Sequence, residues 1–398
     1  MQTPIVIVGA GLGGSRVASE LRDNGFEGPI VLIGEETHAP YDRPPLSKAL
    51  LLGTVDQVDL NPTEFYEQNR IELRTGTRVT AVDPVAKTVT VEPAYGGSSE
   101  AVAYSSLVLA TGLKPRMLPF ALDRVGVHVL RTIDDARSLR AASKSATHAV
   151  IVGAGFIGCE VAASLRTRGL SVTVVEASRA PLSAALGIQV GTMVGRLHAA
   201  EGVDLRTGVG ITGIIGEQRV TGVTLSDGDE IRADIVVLGI GSTPVVDLVA
   251  GSGIEIADSA VGGGISCDAN GHASVPDVYA VGDVANWRDN AGSPARVEHW
   301  NNVVAQATTV AATILDIAPD DRPAVSYFWS DQFDLKLQAL GHPGVGDDVH
   351  VVSDEGGKFV VLYSREGKLT AVVGVGKPAA VMKMRSHVIA RTPIHDLV

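Results

Sequence analysis

Two short glycine-rich segments are the residues of this sequence best suited to chemistry. Residues 9–14 read G-A-G-L-G-G and residues 153–158 read G-A-G-F-I-G, so both fit the pattern G-x-G-x-x-G. In such a turn the first glycine permits a tight bend, the second lets the backbone approach a pyrophosphate, and the third lets a helix pack closely on a strand. Each segment therefore predicts a dinucleotide site, with the phosphates at a helix N-terminus.

An acidic residue follows each glycine segment at a spacing suited to ribose. Glu35 comes 21 residues after Gly14, and Glu176 comes 18 residues after Gly158. Each lies just after a run of β-branched residues, where a carboxylate can accept hydrogen bonds from the ribose hydroxyls. Two glycine-rich turns without a ligand are the alternative interpretation.

The elements that must position these residues form an internal repeat. Residues 4–25 and 148–169 are identical at 12 of 22 positions, including the glycines that the turns need. Each copy has an apolar run, the glycine turn, and a helical pattern that ends at Gly25 or Gly169. A second strand follows, at Ile30–Ile33 or Val172–Val175. The repeat predicts an α/β protein with two Rossmann-like units.

Composition limits the remaining possibilities. A chain of 398 residues is too long for one ordinary core, and a content of 45% hydrophobic and 20% charged residues indicates a folded, soluble protein. The net charge of −12 and only 4% aromatic residues argue against a nucleic-acid binder. The sequence starts with no signal-peptide pattern and has no uninterrupted apolar span, so we expect a cytoplasmic protein that does not cross a membrane.

Two further signals separate the two dinucleotide sites. Residues 107–112 read L-V-L-A-T-G, a strand that runs into a small-residue turn containing Thr111 and Gly112. Residues 274–285 predict a turn, a short strand, and a helix opened by Gly282 and Asp283. The Asp283 carboxylate there could bind a ribityl hydroxyl of a flavin, or it could simply cap the helix.

With these segments in place, the sequence resembles the two-dinucleotide flavoprotein reductases of the glutathione-reductase type. More narrowly, it is similar to the NADH-dependent ferredoxin reductases of bacterial cytochrome P450 and aromatic-ring dioxygenase systems. The most specific matches are P-Y-D-R-P-P-L-S-K at residues 40–48, G-I-G at 239–241 before Pro244, and W-S-D-Q at 329–332. The resemblance covers nearly the whole chain.

The resemblance implies the layout and the cofactors. It implies an FAD-binding domain at 1–113 and 242–320, an NAD-binding domain at 114–241, and a small C-terminal α+β domain at 321–398. It also implies that the first glycine turn of this chain holds FAD and that the second holds NADH. The partner implied is a [2Fe-2S] ferredoxin, with rubredoxin or a [3Fe-4S] or [4Fe-4S] ferredoxin as alternatives, and the chain is a monomer or a dimer.

Candidate cofactor residues follow from the glycine turns, the acids and the matched motifs. For FAD they are Gly9, Gly11, Gly13, Gly14, Glu35, Arg43, Lys48, Val79, Thr111, Gly112, Arg131, Asp283, Glu298 and Trp300. For NADH they are Gly153, Gly155, Phe156, Ile157, Gly158, Glu160, Glu176 and Gly241. The Glu176 carboxylate would repel a 2′-phosphate, so we expect NADH to be preferred to NADPH. The histidines show no metal-ligand spacing, and no metal is expected.

Three residues are the catalytic candidates that the resemblance implies. Lys48 would lie at the flavin N5 edge and pair with Glu160, which would position the nicotinamide. Trp329 would cover the flavin ring. The alternatives are a solvated lysine, an acid favoured by the helix dipole at Glu160, and a packing role for Trp329 and Trp300.

The chain departs from the disulfide reductases at one decisive point. They carry a Cys-x4-Cys pair after the first glycine turn, whereas this chain has no cysteine before Cys159, and its second and last is Cys267. Both cysteines are interpreted as packing residues, so electrons should leave the flavin by a route other than a thiol. An NADH:rubredoxin reductase, a quinone reductase and a flavin-bound redox sensor without fast turnover remain alternatives. A basic segment with no acid, residues 372–394, is either a candidate docking surface or an ordinary solvated face.

Overall fold

The computed structural model describes residues 2–62, 64–121, 124–288, 292–318 and 325–398. The chain divides into two compact units. The first unit takes its residues from 1–42, 58–114 and 243–322, and the second from 43–57, 115–242 and 323–398. The predicted boundary between 320 and 321 lies outside the described residues, and the predicted three-domain division stays a prediction.

A five-stranded parallel sheet forms the centre of the first unit. Apart from the edge strand Ile71–Arg74, its strands are nearly continuous runs of buried, mainly apolar residues, which is typical of a sheet covered on both faces. In spatial order they are Val278–Ala280, Ser106–Leu109, Ile5–Val8, Ile30–Ile33 and Ile71–Arg74. The unit also has helices Leu12–Asp23, Glu64–Gln68 and Trp300–Ile314. Two three-stranded sheets accompany them, at Thr77–Asp83, Thr88–Pro93 and Glu100–Ala103, and at Ile265–Cys267, Ala285–Arg288 and Pro294–Ala295.

A second five-stranded parallel sheet repeats this plan in the second unit. Its strands, in spatial order, are Asp204–Thr207, Ser171–Glu176, His148–Val152, Ile235–Leu238 and Val127–His128. The helices of this α/β part are Ala49–Leu52, Ile133–Ala142, Phe156–Thr167 and Ser183–Ala200. An antiparallel sheet of Ile211–Ile215, Gly222–Leu225 and Glu230–Arg232 adjoins them. Strands Leu113–Pro115 and Ser242–Pro244 contain two of the points at which the chain passes between the units.

The C-terminal part of the second unit is an antiparallel sheet with short helices. Its strands, in spatial order, are Tyr327–Gln332, Leu335–Gly341, Lys368–Val375, Lys358–Arg365 and Asp348–Glu355. Helices Pro378–Lys383 and Arg385–Ala390 follow them. The prediction of an α/β protein with two Rossmann-like units and a C-terminal α+β part is thus confirmed. No helix among the described residues is both long enough and apolar enough to cross a membrane.

Candidate functional site

The glycine turn of the first unit has no room for a side chain at its first and last glycines. Gly9 has φ of +109°, and a Cβ atom there would lie 2.2 Å from the carbonyl oxygen of Ala110. A Cβ atom on Gly14 would lie 2.0 Å from the carbonyl oxygen of Gly9. Helix Leu12–Asp23 begins directly after the turn, with Gly11 as its extended N-cap. The turn is therefore a cradle of bare backbone at a helix N-terminus, which suits a pyrophosphate.

The glycine turn of the second unit has nearly the same geometry. Gly153 has φ of +96°, and its Cβ would lie 2.4 Å from the carbonyl oxygen of Gly239. A Cβ on Gly158 would lie 2.0 Å from the carbonyl oxygen of Gly153. Helix Phe156–Thr167 starts after Gly155, its N-cap. On these observations both turns fit the pyrophosphate of a dinucleotide.

The predicted ribose acids are held differently in the two units. Glu35 is exposed, and its Oε1 accepts hydrogen bonds from Arg78, with N–O distances of 2.9 Å from Nε and 2.6 Å from Nη2. Glu176 accepts the backbone N–H groups of Ala154 and Ser178 at 2.7 Å each, one on each carboxylate oxygen. Ala154 lies within the glycine turn, so Glu176 is fixed to the loop that would hold the NADH phosphates. Each of its oxygens keeps acceptor capacity for a ribose hydroxyl.

Other predicted FAD residues lie around the sheet of the first unit. Thr111 donates a hydrogen bond from Oγ1 to the carbonyl oxygen of Val245 at 2.7 Å, and Gly112 follows it with φ of +67°. Val79 is half-buried on strand Thr77–Asp83. Trp300 is the first residue of helix Trp300–Ile314, and its indole N–H donates to Asp42 Oδ1 at 3.0 Å.

The prediction that Gly282 and Asp283 open a helix is wrong. They belong to a 3₁₀ turn of three residues, Gly282–Val284, and the chain then continues directly as strand Ala285–Arg288. This strand pairs in parallel with Ile265–Cys267, so a non-local strand pairing overrides the local helix signal. The amide groups of a long helix are therefore not available at Asp283.

Arg296 organises the surroundings of Asp283 and was not recognised in the sequence. Its Nη1 donates to the carbonyl oxygen of Asp283 at 3.0 Å, and its Nε donates to the carbonyl oxygen of Gly262 at 2.7 Å. The same Nη1 lies 2.6 Å from Glu298 Oε1. The predicted FAD residues Asp283 and Glu298 are thus brought together by one guanidinium.

Three residues predicted for FAD lie in the second unit: Arg43, Lys48 and Arg131. Arg43 donates from Nη1 to the carbonyl oxygen of Arg131 at 2.5 Å. Arg131 directly precedes Thr132, whose side chain and backbone form a capping box with Asp135 at the start of helix Ile133–Ala142. Arg43, from the motif at residues 40–48, is thereby joined to the loop at Arg131 within the second unit.

Lys48 and Glu160 form a largely buried ion pair in the second unit, as the family resemblance implied. Lys48 Nζ lies 2.6 Å from Glu160 Oε2, and the two side chains are 19% and 4% exposed. Lys48 also donates to the carbonyl oxygen of Pro44 at 3.0 Å. The Ser47 hydroxyl donates to the same Glu160 oxygen at 2.5 Å. Paired and hydrogen-bonded in this way, both charges can be held away from water.

Helix Phe156–Thr167 holds the Lys48 segment at a second point. Ser164 lies one turn beyond Glu160, and its hydroxyl donates to the backbone carbonyl of Ser47 at 2.6 Å. Both Ser164 and Ser47 are buried. Lys48 is therefore positioned by its own ion pair and by the hydrogen bonds that hold the side chain and the backbone carbonyl of its neighbour Ser47.

Further polar residues meet Glu160 from the C-terminal sheet, and the sequence analysis gave them no role. Burial alternates along strand Tyr327–Gln332, so Phe328, Ser330 and Gln332 share the buried face. Ser330 donates to Glu160 Oε1 at 2.7 Å, and Gln332 continues the chain of hydrogen bonds to His198. Phe328 packs edge-to-face on Phe156 at 5.1 Å between ring centroids. The signal available in the sequence was the W-S-D-Q motif itself.

Trp329 lies on the opposite face of the same strand. Its ring stacks on that of Tyr327 with the centroids 6.0 Å apart. The alternation that buries Ser330 and Gln332 therefore turns the tryptophan away from Glu160. Its predicted role of covering the flavin stays a prediction.

Comparison with known proteins places this geometry in a family. Residues 3–307 match the model described as pyridine nucleotide-disulphide oxidoreductase, and residues 327–396 match the model described as reductase C-terminal. The chain belongs to the pyridine nucleotide-disulphide oxidoreductase family.

Relatives match along nearly the whole chain. Rhodocoxin reductase of Rhodococcus erythropolis is 37% identical, with 98% of this chain and 90% of the relative covered. Putidaredoxin reductase of Pseudomonas putida is 33% identical, with coverages of 98% and 92%. Among solved structures, the covalent putidaredoxin reductase–putidaredoxin complex matches with a TM-score of 0.92 and 32% identity, covering 98% of this chain and 94% of that one.

The cysteines set this chain apart from the disulphide chemistry in the family's description. Cys159 and Cys267 are both buried and both unpaired thiols. Burial raises the pKa of the Cys159 thiol well above its ordinary value and raises that of Cys267 to about 12. A thiol that stays protonated and covered is a poor nucleophile and a poor redox group. The described part of the chain also contains no cluster of three or more histidine, cysteine, aspartate or glutamate side chains that could hold a metal ion.

Proposed function

We propose that the protein is an NADH:ferredoxin oxidoreductase that passes electrons from NADH through FAD to a [2Fe-2S] ferredoxin serving a cytochrome P450 or a dioxygenase. The observation that carries the proposal is the combination of two dinucleotide turns with cysteines that are both buried. The turns provide for a hydride donor and a flavin, and the cysteines leave no thiol placed to receive the electrons. Bound FAD would supply the conversion between a two-electron hydride donor, NADH, and one-electron acceptors such as two ferredoxin molecules.

The two glycine turns divide the cofactors between the units. In our proposal the backbone at Gly9, Gly11, Gly13 and Gly14 binds the FAD pyrophosphate, and the backbone at Gly153, Gly155 and Gly158 binds that of NADH. Glu176 orients the NADH ribose and repels a 2′-phosphate. Its attachment to the amide of Ala154 supports this role, because it fixes the carboxylate relative to the phosphate loop.

Lys48 and Glu160 position the reacting groups in this proposal. The ammonium of Lys48 is held by Glu160 Oε2 and the carbonyl oxygen of Pro44, so that its direction is set before the nucleotide binds. A preorganised charge lowers the barrier to a step in which charge develops beside it. Arg43, Arg131, Asp283, Glu298 and Trp300 remain proposed FAD contacts, and Trp329 remains the proposed cover of the flavin.

A panel of acceptors tests the function. The purified protein is expected to be yellow, with one FAD per chain, and to reduce cytochrome c with NADH rapidly only when a [2Fe-2S] ferredoxin is added. If rubredoxin is reduced faster than any ferredoxin, the partner is rubredoxin and the proposed ferredoxin partner is wrong. Flavin reduction by NADH that takes minutes in stopped-flow mixing would contradict the reductase function and favour a redox sensor.

The basic segment of residues 372–394 is the proposed docking surface for an acidic ferredoxin. Lys383, Arg385 and Arg391 are exposed, and Lys377 is half-buried, on and around the two short C-terminal helices. None of the four forms an ion pair with a carboxylate among the described residues, so they are free to attract an acidic partner. The double charge reversal Lys383→Glu and Arg385→Glu is expected to raise the apparent KM for ferredoxin at low salt and to leave flavin reduction by NADH unchanged. An unchanged KM would remove this segment from the docking surface.

We also propose that the enzyme works in the cytoplasm. Its electron donor NADH is a cytoplasmic metabolite, and both cysteines are reduced thiols rather than a disulfide, which agrees with a reducing compartment. Fractionation of cells that express a tagged copy would test this location.

A further inference from the structure

A continuous chain of hydrogen bonds runs from His198 to the Lys48–Glu160 ion pair within the second unit. His198 Nε2 lies 2.8 Å from Gln332 Oε1, and Gln332 Nε2 lies 3.1 Å from Ser330 Oγ. Ser330 Oγ lies 2.7 Å from Glu160 Oε1, and Glu160 Oε2 lies 2.6 Å from Lys48 Nζ. His198, Gln332, Ser330 and Glu160 are 1%, 7%, 0% and 3% exposed, so water cannot easily replace these partners.

The Glu160 carboxylate at one end of this series of hydrogen bonds sets the direction of donation in all of them. A carboxylate only accepts hydrogen bonds, so the single hydroxyl proton of Ser330 is donated to Glu160. Ser330 must then accept from Gln332, which fixes the NH₂ group of that amide towards the serine. The amide oxygen of Gln332 consequently faces His198 and needs a donor. His198 therefore carries its proton on Nε2.

The surroundings of His198 agree with that tautomer. Its Nδ1 is buried and has no hydrogen-bond partner in the described part of the chain. An N–H group buried without an acceptor would be costly, and the tautomer with its proton on Nε2 avoids one. Burial also lowers the pKa of His198, so the ring is neutral at neutral pH and has only one proton to donate.

We propose that Ser330, Gln332 and His198 are positioning residues for the Glu160 carboxylate and, through it, for Lys48. These three residues, which we call the relay, supply the hydrogen-bond donor that Glu160 Oε1 needs, while Ser47 and Lys48 donate to Oε2. With hydrogen-bond donors on both oxygens, the orientation of the carboxylate plane is fixed. The C-terminal sheet thus acts on the reaction site through a polar contact that is separate from the proposed role of Trp329.

The inference rests on the proposed role of Lys48 and Glu160 in hydride transfer, and the experiment tests the two separately. Four variants of the FAD-loaded enzyme are compared: Glu160→Gln, Ser330→Ala, Gln332→Met and Ser364→Ala. Ser364 is the matched control, because it is a buried serine of the same C-terminal sheet whose hydroxyl is hydrogen-bonded to His350 Nε2 at 2.9 Å. The variant Gln332→Met keeps the length of the side chain and removes its donor and acceptor.

Stopped-flow reduction by NADH separates binding from the chemical step. For Ser330→Ala we expect the limiting rate of flavin reduction to fall about tenfold, since a hydrogen bond to a charged group is lost. The Kd for NADH is expected to stay within about twofold, because the nucleotide itself loses no contact. Gln332→Met should show a smaller decrease of the rate, because the Ser330 hydroxyl still reaches Glu160. Ser364→Ala should keep the wild-type rate of flavin reduction. We expect its thermal stability to fall by about as much as that of Ser330→Ala.

Nitrogen-15 NMR of histidine-labelled enzyme gives a readout that does not depend on turnover. We expect His198 in the wild type to show a protonated Nε2 and an unprotonated Nδ1, and Gln332→Met to shift the Nε2 signal. The opposite tautomer would overturn the direction of the relay. Wild-type rates in Ser330→Ala together with slow reduction in Glu160→Gln would overturn the relay alone. Wild-type rates in Glu160→Gln would overturn the proposed role of the ion pair itself.

Discussion

The two glycine turns have nearly the same backbone geometry and place opposite charges at the same helix position. Arg16 and Glu160 each come two residues after the last glycine of their turns. Arg16 is 43% exposed and pairs with Glu20 on the next turn of its own helix at 2.5 Å. Glu160 is almost fully buried and receives hydrogen bonds from Ser47, Lys48 and Ser330.

In our proposal, this difference separates the residues that bind a dinucleotide from the residues that position the reacting groups. The first and last glycines are required in both turns, because a Cβ atom there would collide with a backbone carbonyl oxygen. The helix position beyond them is unconstrained by the turn, so one unit leaves a solvated cation there. The other unit gathers buried polar groups around a carboxylate, which costs desolvation energy and has to be compensated by specific partners. Such a concentration of buried polar groups is typical of functional sites.

The largest effects are expected when the two turns are broken one at a time. Gly9→Ala should abolish FAD binding, whereas Gly153→Ala should keep FAD and weaken NADH binding by about a hundredfold or more, because each Cβ would overlap a carbonyl oxygen. FAD content by absorbance and NADH affinity by stopped-flow titration measure the two losses. Gly25→Ala and Gly169→Ala are the controls, because both glycines have positive φ but no atom within 4 Å of the added Cβ. Loss of FAD from Gly153→Ala with retention in Gly9→Ala would reverse the assignment.

A smaller but still large difference is expected between the two helix positions. Glu160→Gln should slow flavin reduction by about 30-fold, or ~2 kcal/mol, because Lys48 loses the charge that holds it. Arg16→Gln should leave the rate of flavin reduction unchanged. It should lower the free energy of unfolding by about 1–2 kcal/mol, because Arg16 is exposed but its partner Glu20 is buried and, among the described residues, keeps only the hydrogen bond from Thr308. The limiting rate with NADH checks the first expectation, and chemical unfolding checks the second. Equal rates in the two variants would remove the functional contrast between the units.

The two predicted ribose acids, Glu176 and Glu35, should differ in their effect on the preference for NADH over NADPH. Glu176 facing a 2′-phosphate at about 5 Å and an effective dielectric of about 20 costs roughly 3 kcal/mol, and Arg179 nearby in sequence would soften this. We expect kcat/KM for NADH to exceed that for NADPH about ten- to hundredfold. Glu176→Ala should lower this ratio by about tenfold, and Glu35→Ala, which belongs to the other unit, should leave it unchanged. A ratio near one in the wild type would refute the role of Glu176.

Local patterns in the sequence predicted the repeated units well, whereas the polar network around Glu160 could not be predicted. The strand Ile30–Ile33, for example, has the predicted bounds, because a parallel strand buried on both faces is a continuous apolar run. His198 was not singled out, since it meets Gln332 across 134 residues and nothing near it in the sequence marks the contact. The helix predicted at Asp283 failed for the same reason, as pairing with the distant strand Ile265–Cys267 decided the local structure.

The smallest effect is expected at the cysteines, and it tests the central claim that electrons leave without a thiol. In Cys159→Ser with Cys267→Ser, each new hydroxyl has a backbone acceptor where the thiol has one, at Ala154 and Ile265. The double variant should bind FAD, and reduction of a [2Fe-2S] ferredoxin by NADH should stay within about twofold of the wild-type rate. The direct measurement is therefore anaerobic stopped-flow mixing of this variant with NADH and ferredoxin. Ferredoxin reduction at the wild-type rate is the predicted result, and an FAD-loaded variant that accepts hydride but no longer reduces ferredoxin would contradict it.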